Sequence, residues 1–345
     1  MGRHKSTKSL IQQVKETLDS KLAIGESKYL AKLNGTYTEH IYSWESYRSY
    51  LKHACYFIRW VKEQPIDPVL GHKPRTLEEC RQAGFVEKWI QYNIDRGLSS
   101  YTVKLDLAAL GKVYGCRSTD FNIKTPPRKR ANIKRSRLND VAMDKHFSIT
   151  KNKDLITFCR STGLRRSELE QIRGTNIIEH EGKLCIAVKH GTKGGRLRIS
   201  PIIGTDEEIE TVKRLCAEAD FNKIFPHPHS QADIHSYRAD YAKRVYNKYK
   251  RNYNDFKNER LIVYKNKIIT SYTTKNGRRD PSKFPELYKM EGNRKRMLPG
   301  YRDVSSAFYC RVDRKGEVFD RKALFETSYA LGHNRESICA EHYLH

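Results

Sequence analysis

Long apolar runs are missing from this chain. No window approaches roughly 18 consecutive apolar residues, so no segment reads as a membrane-spanning helix. The first residues (Met1, Gly2, Arg3, His4, Lys5, Ser6) lack the apolar stretch of a secretory leader. Gly2 with Ser6 loosely fits an acylation pattern, which a basic disordered start explains equally well. Close cysteine pairs are missing too. Cys55, Cys80, Cys116, Cys159, Cys185, Cys216, Cys310 and Cys339 stand singly in apolar segments, with no CxxC. They read as reduced core thiols of an intracellular protein, and neither a disulfide framework nor a Cys-rich zinc site is expected. Acidic residues are few and scattered, so the carboxylate clusters of two-metal catalysis are not evident. Internal repeats are absent.

What is present is charge of the other sign. Lys and Arg number 66 against 40 Asp and Glu, a formal net charge of +26 over 345 residues. Such an excess points to a polyanionic partner rather than to any particular fold. Aromatic residues make up 10% of the chain, with 21 Tyr, too many for a disordered basic tail. The length allows two domains, each with its own core.

Residues 1–35 are polar and basic, with one amphipathic stretch from Leu10 to Leu22. Trp44, Tyr47, Leu51, Ala54, Ile58 and Val61 recur at three- and four-residue steps and predict a helix that Pro65 and Pro68 end. Thr76 with Glu79 forms a capping box for a helix carrying Cys80, Phe85 and Trp89. Another helix follows Ser99, with Val103, Leu107, Leu110 and Tyr114 on one face. Residues 36–116 thus read as a small all-helical domain, which we extend to 123. Residues 124–137, rich in Pro, Lys and Arg, have the composition of a basic linker; Arg128, Lys129, Arg130, Lys134 and Arg135 are its candidate DNA contacts. From 138 to 345 the elements mix. Helices are expected over 154–159, from Arg165 through Ile172, over 206–219 and 235–249, and last over 321–331. Strands are expected over Lys183–Lys189 and Arg196–Ile202, joined by a glycine-rich turn. Residues 250–320 are basic and Tyr-rich with weak periodicity. They include a hairpin pairing Phe308-Tyr309 with Val318-Phe319.

Phosphodiester chemistry without a metal needs cations for the pentacoordinate transition state, a nucleophile, and an acid for the leaving oxygen. Arg suits the first task because its planar fork grips two phosphate oxygens together. Thr162-Gly163-Leu164-Arg165-Arg166-Ser167-Glu168-Leu169 resembles the first signature box of the tyrosine recombinase (phage integrase) family. His235-Ser236-Tyr237-Arg238 resembles its HxxR box, and Leu331-Gly332-His333 followed by Tyr343 resembles its final box. Lys193, in Gly191-Thr192-Lys193-Gly194-Gly195, matches the hairpin lysine, and Pro201 closes the second strand as in many relatives. The resemblance covers about 140–249 and 321–345.

The resemblance implies a mainly α protein with a small β-sheet (α+β): a helical core-binding domain and a catalytic domain forming a C-shaped clamp. It implies that Arg165 and Arg238 clamp the scissile phosphate, with Glu168 orienting the Arg165 region. Tyr343 would attack phosphorus to give a 3′-phosphotyrosyl link, and Lys193 would protonate the leaving 5′-oxygen. His235 would assist proton transfer at the phenol and His333 would hydrogen-bond the phosphate. No cofactor or metal is implied. The implied partners are double-stranded recombination sites, bound by a homotetramer, with room for an accessory DNA-bending protein. The implied setting is the cytoplasm of a bacterium, at the nucleoid, with a mobile element integrated or excised.

Rivals stand beside these residues. Lys189 competes with Lys193; Tyr329 and Tyr309 compete with Tyr343; Cys339, His342 and His345 fit no standard zinc ligand set. A type IB topoisomerase would use the same side chains, and an inactive DNA-binding regulator could keep the fold. The chain departs from the family pattern in three ways. His333 and Tyr343 lie ten positions apart, one more than is usual. Arg238 and His333 are separated by 95 positions, which implies an insertion at about 250–320 for DNA phosphates or a second protomer. Two residues follow Tyr343, where many relatives carry a helix that docks on a neighbour, so the insertion is the expected assembly surface.

Overall fold

The computed structural model describes residues 8–128, 147–192, 197–264, 267–274, 278–304, 306–311, 316–333 and 335–344. The chain divides into two compact units, Met1–Lys134 and Arg135–His345. Together they are mainly helical with small antiparallel sheets.

The first unit is all helical. Its elements are α1 (Leu10–Asp19), α2 (Lys28–Leu33), α3 (Trp44–Glu63), α4 (Leu77–Gln82), α5 (Phe85–Asp95) and α6 (Ser100–Tyr114). The amphipathic stretch near the N-terminus is α1, and it belongs to this core: Leu10, Val14 and Leu18 are buried with Phe57, Ile58, Val86, Ile90 and Leu110. The Thr76–Glu79 capping box forms as read. The helix it opens is shorter than expected, because Gly84 takes φ +67 and breaks the run into α4 and α5. Left-handed backbone at that position reorients the chain before Phe85 and Trp89 enter the core.

In the second unit α7 (Lys153–Thr162) ends at Gly163 (φ +62), and a single turn, α8 (Arg166–Leu169), follows. The helix expected to reach Ile172 stops there because the chain turns into a three-stranded sheet, β1 (Ile177–His180), β2 (Lys183–Val188) and β3 (Arg198–Pro201). Sequence reading missed β1. Helices α9 (Asp206–Ala219) and α10 (Ile234–Tyr249) follow within a residue of expectation.

The described residues of 250–320 hold more regular structure than their weak periodicity suggests. After α11 (Tyr253–Phe256) come β4 (Glu259–Tyr264) and β5 (Lys267–Thr273), then a hairpin of β6 (Tyr288–Glu291) and β7 (Arg294–Met297), then β8 (Tyr301–Val304). Strands β5, β4 and β8 form one sheet. The expected hairpin is β9 (Phe308–Cys310) with β10 (Val318–Asp320), in the register Tyr309 opposite Phe319. The chain then forms α12 (Arg321–Ala330) and α13 (Ser337–His342). Like α2, α11 and β4–β8, α13 is an element that the sequence reading did not anticipate. A core of Tyr241, Ala242, Val245, Leu324, Leu331, Cys339 and Ala340 clamps α10, α12 and α13 together. No helix among the described residues is long and apolar enough to cross a membrane.

Candidate active site

Two helix ends and one sheet strand build the site. Helix α7 ends at Gly163 and α12 ends at Leu331-Gly332, so both present C-terminal carbonyls without intrahelical donors. Such ends carry partial negative charge and attract cations. Both terminal glycines are required by space as well as by φ. A Cβ on Gly163 would lie 2.2 Å from the Tyr241 ring, and one on Gly332 (φ +65) would lie 2.5 Å from Cδ of Arg198.

Three guanidinium groups fill the space between these ends. Arg238, 1% exposed, donates through Nη1 to the Gly163 carbonyl and through Nη2 to the Leu331 carbonyl. Arg165 donates through Nη2 to the same Leu331 oxygen at 3.3 Å. Arg198, on β3, donates to the Ala330 carbonyl and reaches Gly163 O at 3.5 Å. One carboxylate answers them. Glu168 is fully buried, takes Arg165 Nη1 at 2.6 Å, the Arg165 backbone N–H at 2.7 Å and Arg198 Nη2 at 2.7 Å, and lies 3.9 Å from Arg238. Burial alone would push its carboxyl up; Arg198 above all, then the Arg165 N–H and Arg238, outweigh that and hold it at about 2. Burial and the neighbouring Arg198 lower Arg238 to about 10, which leaves it protonated at neutral pH.

Tyr343 lies at the edge of this cluster, where α13 ends. Its hydroxyl is 3.4 Å from Nε of Arg238 and 3.3 Å from Nε2 of His333. The His235 ring is 5.4 Å from the Tyr343 ring, centroid to centroid, and the His333 ring 5.5 Å. The extra residue between His333 and Tyr343 therefore does not keep the phenol from the arginines. It is His333, expected on a phosphate, whose nitrogen faces the phenol, while His235 meets the ring. Burial and then Arg238, Arg165 and Arg198 push the His333 imidazole down to about 3, so it is neutral at physiological pH.

Of the expected residues, Arg165, Glu168, His235, Arg238, His333 and Tyr343 are brought together. Lys193, Lys129, Arg130, Lys134 and Arg135 lie outside the described residues. Arg128 is exposed, its guanidinium 5.4 Å over the Tyr101 ring. Lys189, the rival hairpin lysine, is exposed at the end of β2. Tyr309 hydrogen-bonds Glu341 at 2.9 Å, and Tyr329 is half exposed with Lys267 over its ring. Sequence reasoning missed Arg198. The strand alternation places it in register with Ser200 and Ile202, but Leu197 and Ile199 mark the other face as the apolar one. Among the described residues no group of three His, Cys, Asp or Glu is placed to hold a metal ion.

The cluster carries two more positive charges than negative ones at neutral pH, next to a phenol. An anion with two or three exposed oxygens would fit that balance.

No family model matches the chain, and no curated protein matches it. Among solved structures it is similar to the XerH site-specific recombinase bound to its palindromic difH substrate in a post-cleavage complex. The identity is 16% over 71% of this chain and 88% of that one, with a TM-score of 0.39. It is similar also to the Tn1549 transposon integrase in complex with circular intermediate DNA, at 16% identity over 70% and 88% of the two chains and a TM-score of 0.33. A third similar structure is the XerA recombinase, at 15% identity over 69% and 86%, with a TM-score of 0.20.

Proposed function

We propose that the protein is a site-specific DNA recombinase of the tyrosine type, breaking and rejoining strands through a covalent 3′-phosphotyrosyl intermediate. The observation that carries this reading is the phenol of Tyr343 held against Arg238 within a cluster of three guanidiniums and one carboxylate. A phosphodiester brings one negative charge to that surplus, and its pentacoordinate transition state brings two. The surplus therefore favours the transition state over the ground state, which is the condition for catalysis.

In this reading a scissile phosphate displaces the phenol from Arg238 and takes donors from Arg165 and Arg238. The Tyr343 oxygen bonds to phosphorus as the bond to the 5′-oxygen breaks. The phenolic proton passes to His333 or His235, and Lys193 supplies the proton to the leaving 5′-hydroxyl. Burial first and the arginines second hold His333 down; a phosphate among the arginines offsets the second part, so the imidazole becomes a better base as substrate arrives. Glu168 and Arg198 act as positioning residues. The bond energy stays in the phosphotyrosine, and rejoining needs neither ATP nor a metal. We place the protein on duplex recombination sites as a homotetramer, with residues 36–123 together with α1 as the core-binding domain and 124–137 as a basic linker, in integration or excision of a mobile element.

The test is a pool of nicked duplexes of randomised sequence, in which loss of the short strand traps the covalent product. Wild-type protein should give a denaturant-stable adduct whose tryptic peptide maps to Tyr343. Tyr343→Phe should abolish the adduct while duplex binding persists. An adduct on another residue would overturn the assignment, and adduct formation accompanied by relaxation of any plasmid would turn the reading to a topoisomerase.

A further inference from the structure

The hairpin of β6 and β7 is stabilised by little that folding usually supplies. It pairs Tyr288 with Met297, Lys289 with Arg296, Met290 with Lys295 and Glu291 with Arg294. All of these except Tyr288 and Met297 are exposed, and Met290 is 62% exposed. No core therefore dictates which residues stand there. Because alternate residues share a face, Lys289, Glu291, Arg294 and Arg296 lie on one side of the ribbon. Lys289 and Arg296 are directly opposed, a like-charge pair that disfavours the hairpin. The lone acid on that face, Glu291, pairs with Arg296 at 2.8 Å and leaves a cationic excess. Protecting an exposed strand from edge pairing takes one lysine, not cations on both strands.

The ribbon is nonetheless firmly rooted. Its turn is the pair Gly292-Asn293, with positive φ (+61) at the glycine, the first central position, as a tight type II′ hairpin requires. At the base, the Arg279 guanidinium lies 4.7 Å over the Tyr288 ring, and the Tyr288 hydroxyl is 3.4 Å from Asp303. The Asp303 side chain, 3% exposed, is salt-bridged to Arg260 on β4 and hydrogen-bonded by Tyr272 on β5. The same sheet is tied through Glu259 to Lys322 of α12, the helix whose last carbonyls hold the guanidinium cluster.

The geometry points to this ribbon as a second, non-catalytic DNA contact: Lys289, Arg294 and Arg296 grip backbone phosphates of duplex DNA. The inference rests on the recombinase reading above and names a partner surface for the segment that separates Arg238 from His333. A stiff two-stranded ribbon with cations on one face suits a duplex, whose phosphates line both edges of a groove wide enough to admit it. Contacts of this kind position the protein without reading sequence.

The experiment measures equilibrium binding of the full chain to a 40-base-pair duplex of arbitrary sequence across a series of salt concentrations. The variants are Lys289→Ala/Arg294→Ala/Arg296→Ala and a charge-retaining control, Lys289→Arg/Arg294→Lys/Arg296→Lys. Removing three phosphate contacts should make the slope of log K against log salt shallower by about 2.7, at roughly 0.9 per phosphate. The control should keep the wild-type slope. Covalent adduct formation on nicked duplex at low salt should survive in both, because no catalytic group is changed. A wild-type slope in the alanine variant, with wild-type binding intact, overturns the ribbon alone; a changed oligomeric state with that unchanged slope assigns the ribbon to protein contact instead. Wild-type protein with no salt-dependent duplex binding overturns the ribbon and the recombinase reading together.

Discussion

Asp106 in the helical unit and Glu168 in the second unit are both buried among helices, and the two are treated in opposite ways. In the helical unit Asp106 is 3% exposed, 2.6 Å from Nδ1 of His53, and takes a hydrogen bond from Asn93 at 3.1 Å. Burial prevails there over His53 and Arg96, and the carboxyl is pushed up. In the second unit Glu168 is buried as completely, yet arginines hold it down at about 2. Desolvation works the same way at both sites; the difference lies in the number of full cations in contact. Around Asp106 polar groups roughly balance, as a packed helical core demands. Around Glu168 the cations outnumber the acid, and two helix C-termini supply the remaining acceptors. A fold that needed only stability would gain nothing from that surplus, since a buried ion cluster is seldom better than apolar packing. The imbalance leaves the second site with an uncompensated positive charge that a further anion would balance.

Removing the acid should have the largest effect. Glu168→Ala leaves Arg165, Arg198 and Arg238 facing only carbonyls, and should cost about 3–5 kcal/mol of stability, as for other buried pairs that lose one partner. Thermal unfolding with and without a phosphodiester duplex measures it. Duplex DNA should restore part of the loss by supplying the missing negative charge. If DNA stabilises wild type and variant by the same amount, the cluster is not its binding site.

The next effect in size concerns His333. Its folded pKa, about 3, lies below the ordinary 6.5, so the unfolded chain takes up the proton first as pH falls. Its contribution to stability is whole above pH 6.5 and is lost progressively toward pH 3. Denaturant midpoints of wild type and His333→Asn across that window should converge as pH falls, with the variant's profile the flatter. Parallel profiles would mean that burial and the arginines do not depress the imidazole.

Much of the fold is legible in the residues themselves. Helical periods and caps announce α3, α6, α9 and α10, because amphipathic helices state their buried face in the spacing of apolar residues. The site's glycines, arginines and Tyr343 are legible through their motif context, not through any periodicity. Arg198 is hidden because β3 turns its polar residues inward: Leu197 is 73% exposed while Arg198 and Ser200 are buried, the reverse of an ordinary half-buried strand. The sheet of β4, β5 and β8 is hidden for a related reason. Glu259 and Arg260 are buried and the Asp303 side chain is covered, all in ion pairs, so charged residues stand where apolar alternation would have announced strands. Sequence patterning reports burial through apolar residues, and both regions are held by paired charges instead.

The smallest effect sharpens the contrast from the other side. Asp106 has a folded pKa raised above 3.8, so the folded protein binds that proton more tightly than the unfolded chain does. Its linkage therefore runs opposite to that of Glu168: stability is favoured below pH 3.8 and reduced as pH rises through the raised pKa, where the buried carboxyl must ionise. Glu168, held at about 2 against an ordinary 4.5, contributes above pH 4.5 and loses that contribution as pH falls toward 2. Asp106→Asn keeps an amide where the carboxyl stood and should change stability by only about 1 kcal/mol at neutral pH. Its difference from wild type should shift with pH in the direction opposite to that of Glu168→Gln, read from paired urea titrations between pH 3 and 7. The same direction for both variants would mean that His53 and Arg96 stabilise the Asp106 charge as effectively as the guanidiniums stabilise that of Glu168, and the two buried acids would no longer differ in kind.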